Sequence, residues 1–225
     1  MAAVLTYVPA VLFGATWLEI IHAPALIGPL GLVTAAMCAV TVFCTAKIYS
    51  SLQTIRAWNH PLTVPVYLAF ALATGAALLA AIAAVFDRSQ VFLTGLTVTA
   101  LLAALALKEI YWVMIDGALR GHTIEAATGL GRIGKVSQWE LPHTAINFVQ
   151  KEMGYAVARK HVAKLRFGVL AMLGLAAVAM MLALAWPLLS IIAAILALSA
   201  AVVERWLFFA EAQHVSTLFY GAEKA

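Results

Sequence analysis

Apolar residues run along this chain in long stretches, and the polar residues cluster between them. Charge-free runs cover Met1–Leu18, Ile20–Ala46, Ala57–Phe86, Ser89–Leu107 and Phe167–Val203. A bilayer core takes about 20 apolar residues per helix. Lipid cannot satisfy backbone polar groups, so such segments must be helical. The last run is long enough for two helices, with Trp186-Pro187 in its middle. A proline pushes the residue before it out of helical geometry, so the run divides there into a tight hairpin. The pattern predicts an all-α, polytopic transmembrane helix bundle with six spans, at about residues 3–21, 28–49, 64–86, 91–114, 167–185 and 188–210. Residues 1–225 then form one integral membrane domain, interrupted by a long extramembrane basic connection at 115–166. An i+4 stripe of Ala69, Ala73, Ala77 and Ala81 offers a close helix contact, although a general richness in alanine explains it equally well.

Composition agrees. The chain has 225 residues, 64% of them hydrophobic and only 11% charged, and its mean hydropathy is +0.99. Soluble domains carry about 25% charged residues. A soluble enzyme, a nucleic-acid-binding domain and a disordered chain are therefore excluded. Two cysteines, Cys38 and Cys44, cannot make a disulfide framework, a thiolate zinc site or an iron–sulfur site, and they read as small buried hydrophobes. The start carries neither a basic leader nor a cleavage site and does not read as a signal peptide.

The charges are one-sided. With an even number of spans, both termini and the connections 47–63 and 115–166 share one side, side one. It holds Lys47, Arg56, Arg120, Arg132, Lys135, Lys151, Arg159, Lys160, Lys164 and Arg166, against Arg88 beside Asp87 on side two. The positive-inside rule puts side one in the cytoplasm. A basic face can equally dock an acidic partner protein, and Arg132, Lys135, Arg159, Lys160 and Lys164 are the candidate docking residues. Within the long connection, the glycine-rich turn from Gly129 to Lys135 resembles a phosphate loop only superficially. No strand precedes it and no Ser or Thr follows the lysine as required. Residues 144–166 read as an amphipathic helix lying at anionic headgroups, or as a plain continuation into the fifth span.

Ionisable groups within spans are functional candidates. Glu19 lies near His22, and Lys108 and Glu109 fall late in the fourth span, where Glu109, Trp112 and Asp116 share a face. A helix boundary or snorkelling is the bland account of Glu19 and Lys108. Glu204, Arg205, Glu211 and His214 recur beside Trp206, Phe208 and Phe209 at the end of the sixth span, and here the functional reading is stronger. Arg56 and His60, in the second-to-third connection, could bind a quinone oxygen or relay a proton, while Trp58 and Tyr49 suit an interface belt. All six histidines sit at span ends or in connections, so no facing pair for a haem can be assembled. Neither haem nor metal is expected in this chain.

Three stretches together resemble the dimethyl sulfoxide (DMSO) reductase anchor-subunit family. They are Ile48 to Thr63 (IYSSLQTIRAWNHPLT), the pieces Ala127–Gly131, Pro142–Thr144, Glu152–Tyr155 and Ala158–His161 of the long connection, and Glu204 to Val215 (ERWLFFAEAQHV). The resemblance implies an eight-helix, haem-free membrane anchor. Such an anchor oxidises quinol (menaquinol included) and passes electrons to an iron–sulfur subunit that feeds a molybdopterin catalytic subunit. It also implies that this chain begins at the family's third helix, so the residues mostly assigned to the quinol site there have no counterpart here. The partner subunits dock on side one, which in many members is periplasmic. A basic docking face reconciles this with the charge tally. The expected setting is the cytoplasmic (inner) membrane of a bacterium or archaeon.

With no redox centre in the chain, a quinol site must lie at the membrane edge on the docking side. That is the layer of Arg56, His60, Glu204, Arg205, Glu211 and His214. The rival readings are a non-catalytic scaffold for the reductase and, more remotely, a small secondary transporter. The latter usually shows repeats and mid-membrane broken helices, which are not evident here.

Overall fold

The computed structural model describes residues 1–86, 91–117, 123–140, 160–213, 215 and 218. Among them there are helices and turns and no strand. The long helices are α1 (Ala2–Trp17), α2 (Ile27–Ser50), α3 (Thr63–Val85) and α4 (Val91–Gly117). A short α5 (Ile124–Thr128) lies in the long connection, followed by α6 (Val162–Leu182) and α7 (Leu189–Ala210).

Among the described residues, five stretches are long and apolar enough to cross a bilayer: Pro24–Ser50, which is α2 with a preceding 3-10 turn, and α3, α4, α6 and α7. The six expected spans therefore become five, plus the 16-residue apolar helix α1. At 1.5 Å per residue α1 measures roughly 24 Å, against a hydrocarbon core of about 30 Å. It stops at Trp17 rather than near 21 because Glu19 takes a left-handed conformation, φ 59°. The Glu19 N–H returns to the Thr16 carbonyl at 3.3 Å, and the Ile21 N–H to the Ala15 carbonyl at 3.1 Å.

Proline punctuates the rest. Pro24, Pro29 and Pro65 sit in or just before first turns, where a missing N–H costs nothing. Trp186-Pro187 makes the expected turn, and the Ser190 hydroxyl donates to the Pro187 carbonyl at 2.6 Å. Several hydroxyls inside the spans are satisfied within their own helix, whereas the buried Thr94 hydroxyl of α4 has no hydrogen-bond partner. Thr34, Thr41, Thr74 and Thr97 each donate to the carbonyl four residues back, which lets them lie in lipid or protein without an orphan donor.

Four helices close a ring in the order α3, α4, α6, α7 and back to α3. Its seams are lined by small residues. Ala73, Ala77 and Ala80 of α3, Ala100 and Ala104 of α4, Ala176 of α6, and Ala193, Ala197 and Ala200 of α7 are all buried, and Leu101, Leu173 and Met180 fill the centre. Two members of the predicted alanine stripe, Ala73 and Ala77, are at 0% exposure, and Ala69 and Ala81 pack against the same core. Helix α2 packs on the outside of α3, and α1 on α2. Cys38 and Cys44 are both exposed on α2, contrary to the expectation that they are buried. The helix presents most of its circumference outward, where lipid accepts a small thiol as readily as protein does.

In the long connection, Thr123 caps α5 by accepting the Ala126 N–H at 3.2 Å. Gly129 at φ 70° turns the chain out of it. The glycine-rich run is a helix stop rather than a phosphate loop. The expected interfacial helix over 144–166 lies mostly outside the described residues. Its last part belongs to α6, which begins at Val162 rather than 167 and so places Lys164 and Arg166 on the first turns of a span.

Candidate functional site

The side-one ends of α2, α3, α4, α6 and α7 enclose an ion-pair lattice behind an aromatic wall. Lys108 of α4 and Glu204 of α7 are 1% and 0% exposed, and the ammonium lies 2.6 Å from Oε1 of the carboxylate. Lys108 lies well inside α4, which runs on to Gly117, about 14 Å along the axis from that end, too deep to snorkel to the edge. The helix-boundary account of Lys108 is therefore replaced by a buried pair. The other carboxylate oxygen takes the Arg205 guanidinium at 2.5 Å. Arg205 stacks over Tyr67 of α3, with its guanidinium carbon 3.8 Å from the ring centroid, and lies 4.9 Å from Phe208. Lys108 faces the rings of Tyr111 at 4.2 Å and Trp112 at 4.7 Å. Aromatic faces carry negative potential, so these contacts offset part of the desolvation of the two cations.

A second cluster sits nearer the surface. Arg166 of α6 binds Asp116 of α4 through Nη1 at 2.5 Å and Nη2 at 3.2 Å, and Glu211 through Nε at 2.7 Å. Trp112 donates its indole N–H to the other oxygen of Glu211 at 3.1 Å. The inner cluster has two cations and one carboxylate, and the outer one cation and two carboxylates. Trp112 joins them, and the six charges sum to zero. A buried charge is tolerable only when so compensated.

The aromatic wall comprises Tyr49 of α2, Trp58, Tyr67, Phe208 and Phe209. Trp58 stacks on Phe208 at 5.5 Å, and Tyr49 meets Trp58 edge-on at 5.2 Å and lies over Tyr67 at 5.9 Å. Trp58 also donates its indole N–H to the Phe208 carbonyl at 2.8 Å. It is thus a packing residue of the bundle, not a member of an outer interface belt.

An open cleft of about 190 Å³ lies between the ends of α2 and α3, lined by Lys47, Ser50, Asn59, His60, Pro61 and Val64. The Leu62 N–H donates to His60 Nδ1 at 3.2 Å. A neutral imidazole in that bond carries its proton on Nε2. Burial holds the His60 pKa below its ordinary 6.5, which favours the neutral form. Asn59 is fixed by donating its amide N–H to the Ser50 carbonyl at 2.7 Å.

Of the residues singled out from sequence, His60 lines the cleft, while Glu204 and Arg205 lie behind the aromatic wall and Glu211 in the outer cluster. Arg56 is exposed, and His214 is outside the described residues. Of the docking candidates, Arg132, Lys135, Lys160 and Lys164 are exposed and Arg159 is outside the described residues. Glu125, by contrast, is folded back: its own backbone N–H, that of Val136 and the Thr123 hydroxyl hold its pKa below the usual carboxylate value. The sequence reading did not include Lys108, Tyr67, Tyr111, Trp112 or Arg166 in the site. The spacing of Lys108, Tyr111 and Trp112 at i, i+3 and i+4 was the available signal.

Comparison with known proteins decides the family. The family model for the DMSO reductase anchor subunit (DmsC) matches residues 10–222. The chain belongs to the DMSO reductase anchor-subunit family. A curated relative, a sulfite dehydrogenase subunit from Allochromatium vinosum, is 30% identical over 200 residues. That alignment covers 87% of this chain and 60% of the relative, so the chain spans less than two thirds of the relative's length. No solved structure matches. Family membership and the five long apolar helices make this a multi-pass membrane protein of the anchor type.

Proposed function

We propose that this anchor subunit binds quinol in the cleft beside His60 and passes its electrons to an iron–sulfur subunit docked on side one, which feeds a molybdopterin catalytic subunit. The carrying observation is a cleft between the ends of α2 and α3 lined by one imidazole, whose Nδ1 accepts the Leu62 N–H and so leaves Nε2 to carry the proton of the neutral ring. At about 190 Å³ it is smaller than the 300–1,000 Å³ typical of drug-sized ligands and suits a quinol ring whose tail stays in lipid. His60 donates to one quinol oxygen, and the amide of Asn59 offers an acceptor beside it. Oxidation releases two protons to side-one water and two electrons to the iron–sulfur partner. The lattice behind the wall supports the cleft, and the exposed Arg132, Lys135, Lys160 and Lys164 form the docking face, with Arg159 between them in sequence. The membrane is the cytoplasmic membrane of a bacterium or archaeon.

The test is purification of the tagged chain from its own host in mild detergent, with metal analysis and EPR. Molybdenum and iron–sulfur signals in near-stoichiometric amounts are expected, as is oxidation of 2,3-dimethyl-1,4-naphthoquinol. A complex that assembles but neither binds nor oxidises the naphthoquinol makes the chain a scaffold.

The state of His60 adds a pH signature. Its folded pKa is depressed, so what the neutral ring contributes is present above 6.5 and is lost as pH falls through the lower folded value. Protonation turns Nδ1 into a donor facing the Leu62 N–H and breaks that bond. KM for the naphthoquinol should therefore rise on the acid side below 6.5, and His60→Asn should flatten that limb of the profile.

A further inference from the structure

We infer that Tyr111 is a positioning residue, the clasp by which the buried ion lattice sets the place of His60. Tyr111 is 3% exposed and meets three things at once. Its ring lies over the Lys108 ammonium at 4.2 Å. Its edge meets the His60 ring at 5.5 Å and 87°. Its hydroxyl donates to the Ala57 carbonyl at 2.7 Å, three residues before His60.

The segment it holds has few other fastenings. Residues 51–62 form no helix, and Ile55 is their only apolar side chain under 9% exposure. Trp58 supplies the second tie, through its bond to the Phe208 carbonyl on the neighbouring turn from Glu204. Thr63 closes the end by donating to the Trp58 carbonyl at 2.7 Å. The two side-chain ties thus run to residues stacked on the ion lattice, one on Lys108 and one beside Arg205, while a backbone bond from the Val215 N–H to the Thr54 carbonyl at 3.3 Å holds the start of the segment. The bond is part-buried, between a 3% exposed tyrosine and the half-buried Ala57. Leaving such a group unpaired costs more than the bond itself contributes, so the segment shifts rather than stays in place. The lattice positions the segment through these clasps and needs no contact with the ligand. The role in substrate binding rests on the quinol reading above; the clasp itself does not.

Tyr111→Phe keeps the ring, its cation contact and the His60 edge, and removes only the hydroxyl. Two measurements on the assembled complex separate the claims. In a Cys38→Ala, Cys44→Ala background, a nitroxide label at Arg56→Cys reports the mobility of the segment by EPR. In the unlabelled complex, naphthoquinol oxidation is resolved into KM and kcat. Tyr111→Phe should sharpen the label's spectrum and raise KM several-fold with a smaller change in kcat, and Trp58→Phe should do the same. An unchanged spectrum in Tyr111→Phe overturns the clasp whatever the kinetics. A mobilised segment with unchanged KM upholds the clasp and overturns the quinol site at His60.

Discussion

The α1–α2 hairpin and the four-helix ring are built from the same apolar vocabulary and hold together differently. Helices α1 and α2 bury one residue each, Thr16 and Ala46, whereas each ring helix buries a full face. Helix α2 is as apolar as the ring helices by length and composition. Apolarity is thus no guide to what touches protein. In lipid there is no hydrophobic drive between helices, and association depends on close packing and polar contacts. The ring has both, in alanine seams and an ion lattice. The hairpin has a pair of threonines and one tight spot, where Phe13 covers Gly31 so closely that a Cβ there would stand 3.1 Å from the ring.

The sharpest way to break this contrast is to remove Glu204. Glu204→Ala leaves Lys108 and Arg205 facing each other in a site that excludes water. Removing one partner of a buried pair costs about 3–5 kcal/mol. Thermal unfolding of the complex in detergent should show α4 and α7 separating at a much lower temperature, with yield falling accordingly. An unaltered transition would mean that the alanine seams alone hold the ring.

Much of the ring was legible in sequence, and the lattice only in outline. Five of the six expected spans follow from run length, with α6 starting five residues early, and the Trp186-Pro187 turn follows from backbone geometry, because both are local. The layer of carboxylates and cations at the side-one ends is also visible as a list of residues. Its wiring is not. Trp112 and Glu211 are 99 residues apart and Arg166 and Asp116 are 50 apart, so no spacing rule connects them. Lys108 read as a helix boundary because a buried cation is recognisable only once its partner on another helix is known. The cysteines failed for the opposite reason: an apolar residue in a span has no preference between lipid and protein, and only the position of α2 at the rim decides it. The end of α1 was missed because nothing local marks Glu19 for a left-handed turn where glycine is the usual residue.

A gentler probe compares one substitution in the two regions. Ala77→Leu adds bulk at a position with 0% exposure in the ring, while Ala39→Leu adds the same atoms on the outward side of α2. Overpacking a close-packed seam costs typically about 1–3 kcal/mol. The lipid-facing change should stay within about 0.5 kcal/mol. Equal effects in an unfolding titration would place the two faces in the same environment and remove the basis of the contrast.

The smallest expected effect tests what holds the hairpin itself. The Thr6 and Thr41 hydroxyls meet at 3.0 Å across α1 and α2, and Thr6 also reaches the Met37 carbonyl at 3.3 Å. Each hydroxyl has a fallback within its own helix, Thr6 to the Ala2 carbonyl and Thr41 to the Met37 carbonyl. Losing the cross-helix bond therefore strands no donor. Interhelical hydrogen bonds of this kind average about 0.6 kcal/mol. A cycle of Thr6→Val, Thr41→Val and the double variant, read as the equilibrium between docked and undocked α1 by energy transfer between labelled helices, should give a coupling near that value. A coupling well above the roughly 1.7 kcal/mol maximum known for such bonds would show the hairpin clamped as firmly as the ring. A coupling of zero would leave the Phe13–Gly31 contact as its main fastening, because the side-chain hydrogen bonds between the two helices, among the described residues, all involve Thr6.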